Sequence, residues 1–139
     1  MKKELENEWI AESLKGKVEY QLTLYRKSHD RAYGRVTILL DKEVKLNTSD
    51  IESLEIYGYE NTEEALEDGR FMHYDFYISY YEYINNSIYD NINSDNALIR
   101  LFTIFDRRIG KKKFKELKNI LVGETKWLEE FYNFRYYNE

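Results

Sequence analysis

The sequence predicts an α+β fold: an N-terminal antiparallel β-meander of three to four strands, followed by four to five helices packed on one face. Two patterns carry this expectation. Between Val18 and Leu46 apolar residues alternate with polar ones, the period of strands with one buried face. From Asn61 onward they recur at steps of three and four, the period of helices. No Pro-, Ser- or Gly-rich linker, internal repeat or low-complexity tract divides the 139 residues, so a single domain over 1–139 is expected.

Glu4 to Leu14, with Leu5, Trp9 and Ile10, fits either a short helix or an extended lead-in. Val18, Tyr20, Leu22 and Leu24 alternate with Glu19, Gln21 and Thr23 as the first strand. The polar run Lys27 to Arg31 reads as a loop, and Gly34 restarts the chain. Val36, Ile38 and Leu40 form the inward side of a second strand, Asp41-Lys42-Glu43 a short hairpin connection, and Val44 and Leu46 the return strand. Ile51 to Tyr59 suits a fourth strand with Leu54 and Ile56 inward.

Asn61 or Thr62 caps a helix opened by Glu63 and Glu64 and ended by Gly69. Phe71 to Ile84 is the next helix, with Tyr74, Tyr77, Tyr81, Ile84 and Ile88 as its core stripe and Asn85-Asn86 as its break. Ser94 or Asp95 caps a strong helix bearing Leu98, Leu101, Phe102, Phe105 and Ile109, closed by Gly110 in the left-handed conformation. Lys111 to Leu121 follows, closed by Gly123. Thr125 then caps a last helix in which Trp127, Leu128, Phe131, Phe134 and Arg135 recur.

Composition excludes several chemistries. There is no cysteine, so disulfides, zinc–thiolate sites and cysteine nucleophiles are out, which fits a reducing compartment. The start, Met1 to Glu8, is charged and lacks the apolar stretch of a signal peptide, and no run approaches the ~20 apolar residues of a membrane span, so a cytoplasmic location is expected. The absence of proline and the 14 tyrosines read first as the codon bias of an AT-rich genome, with a function for the tyrosines as the competing reading.

Two stretches carry a family resemblance. One is Ser13-Leu14-Lys15-Gly16-Lys17-Val18-Glu19-Tyr20 with Tyr25-Arg26 and Asp41-Lys42-Glu43-Val44. The other is Ser87-Ile88, Asn93-Ser94-Asp95-Asn96 and Phe105-Asp106-Arg107-Arg108-Ile109-Gly110-Lys111-Lys112. Together they resemble an uncharacterised family of small bacterial cytoplasmic proteins with a Ser-Leu-Lys-Gly-x-Val-Glu-Tyr strand motif and an Asp-Arg-Arg-x-Gly-Lys helix motif. The resemblance covers about half the chain and implies no activity, cofactor or partner.

Charge is segregated. Asp50 to Gly69 holds eight acids and no base, whereas Arg100 to Lys126 sums to +6 in a chain of net charge −5. This asymmetry bears on partners rather than on fold. Glu60, Glu63, Glu64 and Glu67 are the candidates for docking a basic protein, as acidic bacterial immunity proteins dock basic toxins, and a solvated helix face is the plainer reading of the same residues. Arg107, Arg108, Lys111, Lys112 and Lys113 form the alternative site, for phosphate or a nucleic-acid backbone at a helix start; Arg107 and Arg108 equally suit the last turn of the preceding helix. Phe76, Tyr80 and Tyr83 fall off the core stripe and form a candidate protein or self-association interface, unless a second layer covers them.

Catalysis has little support. His29 and His73 lack partners at metal-ligand spacing, and no nucleophile-elbow, phosphate-loop, dinucleotide or zinc-protease motif is present. A Tyr74, His73 and Asp75 constellation reads as helix surface. The expectation is therefore a non-catalytic, cofactor-free and metal-free binding module, possible homo-oligomers included. An anion or nucleic-acid binder is the alternative and an enzyme the last choice.

Overall fold

A computed structural model describes residues 1–26, 32–50 and 62–139. The α+β class holds: a three-stranded antiparallel sheet in the order β1-β2-β3 precedes a set of helices. The strands are β1 (Val18–Arg26), β2 (Ala32–Leu40) and β3 (Glu43–Ser49). Val18 faces Leu40 and Leu24 faces Gly34, so one side of the β1–β2 ribbon carries Val18, Tyr20, Val36, Ile38 and Leu40 into the core. Asp41 and Lys42 both have positive φ, at 50° and 67°, the geometry of a two-residue hairpin whose twist matches its strands. The polar loop with His29 and the fourth strand expected over Ile51 to Tyr59 lie outside the described residues.

β3 departs from the simple alternation. The register shifts between Ile38 and Leu39, so that Ile38 pairs with Leu46 but Leu39 with Val44. The extra residue, Lys45, reaches Glu130 at 3.1 Å, and Val44 is left 54% exposed rather than facing inward.

The described helices are α1 (Thr62–Glu67), α2 (His73–Asn85), α3 (Ile88–Ile92), α4 (Ala97–Ile104), α5 (Lys111–Glu116), α6 (Lys118–Leu121) and α7 (Leu128–Asn138). Glu4–Glu8 forms a π-type turn and Glu12–Leu14 a 3-10 turn. Every residue of α4 is buried, and α2, α3, α6 and α7 pack around it, so α4 is the axis of the helical part. α2 joins the two halves. Phe76 lies against Tyr20 and Phe102, with ring centroids 5.7 and 5.2 Å apart, and Tyr83 lies 5.4 Å from Phe102.

Several expected helix ends move for identifiable reasons. Asn96, not Ser94 or Asp95, caps α4: its Oδ1 accepts from Leu98 N at 2.8 Å and Ile99 N at 3.3 Å. Gly110 has φ −72° and opens α5 instead of closing the previous helix in the left-handed region. Lys111 to Leu121 is two helices, divided at Leu117. Gly123, with φ 55°, does close α6. Thr125 does not cap α7, because its hydroxyl is engaged by Arg100 and Glu67.

The Asp106-Arg107-Arg108-Ile109-Gly110 turn is held from three directions. Asp106, fully buried, accepts from the Tyr83 hydroxyl at 2.5 Å, from Arg108 N at 2.7 Å and from the Arg108 guanidinium at 2.8 to 3.2 Å. Trp9 O accepts from Arg107 N at 2.8 Å, and the Trp9 ring stacks under the Arg108 guanidinium at 5.1 Å. From α7 the buried Arg135 donates to the carbonyls of Ile104 at 2.8 Å, Asp106 at 3.0 Å and Ile109. A buried phenol beside a buried carboxylate resists ionisation. Burial first, then the Asp106 charge, pushes the Tyr83 hydroxyl far above the usual tyrosine range.

Candidate functional site

Asparagines fix the wall of the main concavity. Asn91, fully buried, donates to Tyr83 O at 3.0 Å and accepts from Asn86 Nδ2 at 3.1 Å, which folds α3 back against the end of α2. Ser87 Oγ accepts from Asp90 N at 3.1 Å and caps α3. Asn96, besides capping α4, donates to Ser79 Oγ at 3.0 Å. Asn86, Asn91 and Asn96 therefore wire the α2–α3–α4 corner.

Against this corner α1 closes a groove of about 720 Å³, lined among others by Glu64, Glu67, Glu82, Asp90 and Asp95. A second concavity of about 480 Å³ shares Glu67, Asn93, Ser94 and Asp95 with it and adds Arg100, Glu124 and Thr125. Six carboxylates thus line the depression that these two adjoining concavities make. Glu82, Asp90, Asp95 and Glu124 are exposed and make no ion pair with a described residue. Glu67 is engaged at the floor, where it accepts from Thr125 Oγ1 at 2.8 Å and lies 3.8 Å from the Arg100 guanidinium.

Arg100 is the one cation lining this depression among the described residues. It is 7% exposed, and its Nη atoms donate to Leu121 O at 3.3 Å, Val122 O at 3.1 Å and Thr125 Oγ1 at 2.9 Å. Its Nε is buried with no hydrogen-bond partner. Burial holds its pKa below the ordinary arginine value, partly offset by the Glu67 and Asp95 charges.

Only part of the residue set expected from sequence meets here. Glu64 and Glu67 line the groove, whereas Glu60 and the side chain of Glu63 lie outside the described residues. Asp50, expected within an acidic surface stretch, is 4% exposed and serves the interior. Glu82, Asp90, Asp95 and Glu124 were not singled out by sequence, because they are scattered over 43 positions and only the fold gathers them.

The aromatic expectation is reversed. Phe76, Tyr80 and Tyr83 are buried, at 0, 5 and 0% exposure, and form no free face. Tyr74 and Tyr81, assigned to the core, are exposed together with Ile78, at 47, 59 and 59%. Tyr83 turns inward because its hydroxyl has a buried acceptor in Asp106, and Phe76 because it fills the space between Tyr20 and Phe102.

Of the basic set, Arg108 is committed to Asp106, a pairing that raises its pKa. Arg107, Lys111, Lys112 and Lys113 are exposed and pair with no described carboxylate. The three lysines, with Gly110 and Glu116, line a shallow concavity of about 690 Å³.

His73 has a partner that sequence did not reveal. Asp50 Oδ2 lies 2.5 Å from His73 Nδ1 and accepts from Gly34 N at 2.8 Å, while Oδ1 accepts from His73 N at 2.7 Å. The His73 side chain crowds Gly34, where an added Cβ would clash with its Cγ, Cβ and Nδ1. This pair pins the start of α2 to the ends of β2 and β3. Asp75 reaches back to Met72 N at 2.9 Å; burial raises its pKa, against the effect of that hydrogen bond. Tyr74, His73 and Asp75 line none of these three concavities, and the histidine's carboxylate partner is Asp50. Among the described residues no group of three or more His, Asp or Glu is placed to hold a metal ion, and no helix is long and apolar enough to cross a membrane.

The sequence profile of the SF0329 protein family matches residues 1–64 and 55–136, which together span both motif stretches. No curated protein and no solved structure matches the chain.

Proposed function

The chain belongs to the SF0329 protein family, and we propose that it is a non-catalytic protein-binding module of the bacterial cytoplasm, of the immunity or adaptor kind, whose acidic groove receives a basic segment of another protein. One observation supports this reading: six carboxylates line two adjoining concavities, and four of them make no ion pair with a described residue. Carboxylates held on concave walls focus a negative potential, which speeds encounter with a basic partner and disfavours acidic ones.

The test is charge reversal at the exposed positions. Glu82→Lys, Asp95→Lys and Glu124→Lys together should weaken binding of a lysine-rich peptide by at least about tenfold at 0.15 M salt, and low salt should strengthen the wild-type interaction. Fluorescence anisotropy reads both. Equal binding by the wild type and the triple variant would refute the groove.

A second reading is supported by the exposed Arg107 and Lys111 to Lys113, which pair with no described acid. It makes this ridge a contact for phosphate or a nucleic-acid backbone. It predicts oligonucleotide binding that falls steeply with salt and drops in Lys111→Glu. No oligonucleotide binding at low salt would dispose of it.

A further inference from the structure

Resting on that reading, we infer that the segment received is an amphipathic basic helix, whose apolar side lies on the outward face of α2 while its cations enter the adjoining groove. Tyr74, Ile78 and Tyr81 are exposed at positions i, i+4 and i+7, so they share one face, opposite the buried Phe76, Ser79, Tyr80 and Tyr83. That apolar stripe has no cover among the described residues. It is continuous with the acidic wall, because Glu82 stands one turn beyond Ile78 on the same helix and lines the groove. The pairing recurs on α3, where Tyr89 is 72% exposed and the next residue, Asp90, lines the groove.

An occupant must match both surfaces. A metal ion or a polyamine answers the carboxylates and leaves the stripe wet. A nucleic acid is repelled by the groove. A helix with lysines or arginines flanking an apolar ridge answers both, the mode in which one helix face lies against another along i, i+4 and i+7 anchors.

Two synthetic peptides of equal length and charge test this on the full chain, one with lysines spaced by serine, the other with lysines and leucines at helical spacing. The lysine–leucine peptide should bind at least about tenfold more tightly. Ile78→Asp with Tyr81→Asp should reduce it to the level of the lysine–serine peptide, while Glu82→Lys with Asp95→Lys should weaken both peptides. Both pairs lie on the surface, and unchanged circular dichroism confirms that the variants fold. Equal affinity for the two peptides, or no effect of Ile78→Asp with Tyr81→Asp, overturns the helix while leaving the groove standing. Failure of both peptides to bind overturns both. Dimerisation of the chain alone, abolished by Ile78→Asp in sedimentation, assigns the stripe to a second copy and overturns the inference.

Discussion

Replacing Arg135 by methionine removes a cation that α7 inserts beneath the Asp106 turn. The side chain is 2% exposed and donates to three carbonyl oxygens, of Ile104, Asp106 and Ile109, while its Nε pairs with Glu139 at 2.7 Å and its guanidinium covers the Phe114 ring at 4.3 Å. Methionine keeps much of the volume, so the packing loss is small. The three carbonyls lose their donor in a dry site, at about 1.5–3 kcal/mol for each hydrogen bond to a charged group when taken alone. They share one guanidinium and do not add, so a total of about 3–5 kcal/mol is expected, as for other broken buried charge networks. Glu139, at the end of the described chain, turns to solvent and adds little. With a urea m-value of about 2 kcal/mol/M, the unfolding midpoint should fall by about 2 M. Arg135→Lys should recover less than half of this, because one ammonium cannot reach three carbonyls arranged around a planar fork. A methionine variant within about 1 kcal/mol of the wild type would refute the claim that Arg135 organises the turn.

Three further outcomes follow from the geometry. Gly34→Ala places a Cβ 2.4 Å from His73 Cγ and should destabilise by about 1–3 kcal/mol; in a His73→Ala background the cost should largely vanish, and additivity in that cycle would show that the ring is not what constrains Gly34. Burial pushes the Tyr20 and Tyr83 hydroxyls well above the ordinary tyrosine value, so their contribution to stability is complete below about pH 10, where unfolded tyrosines begin to ionise, and declines as pH rises toward the folded value. Tyr20→Phe and Tyr83→Phe should each flatten the fall of urea stability between about pH 9 and 11, and an unchanged slope would show that these phenols already ionise in the folded chain. Tyr83→Phe at neutral pH should cost about 1–2 kcal/mol, less than Asp106→Ala, since Asp106 keeps its Arg108 donors in the first variant and the Tyr83 hydroxyl loses its acceptor in the second; equal costs by urea unfolding would contradict this.

The sequence by itself determined the order of elements and much of the sheet. Val18, Tyr20, Val36, Ile38 and Leu40 point inward because a period of two leaves one face to bury, and Gly69 and Gly123 end helices because positive φ favours glycine. Periodicity also marked α2 as helical. It could not give the phase, because tyrosines, Phe76, Ile78 and Ile84 are spread around that helix and either face is apolar enough to be buried. Tertiary structure chose Phe76, Tyr80 and Tyr83, where Tyr20, Phe102 and Asp106 supply a matching cavity and an acceptor. The groove was legible only in Glu64 and Glu67. Its other acids are single residues on α2, α3 and the turns beside α4 and α7, and nothing local distinguishes them from ordinary surface charge. Like charges gather on one wall only when the chain closes in three dimensions, so their shared field belongs to the fold and not to any stretch of sequence.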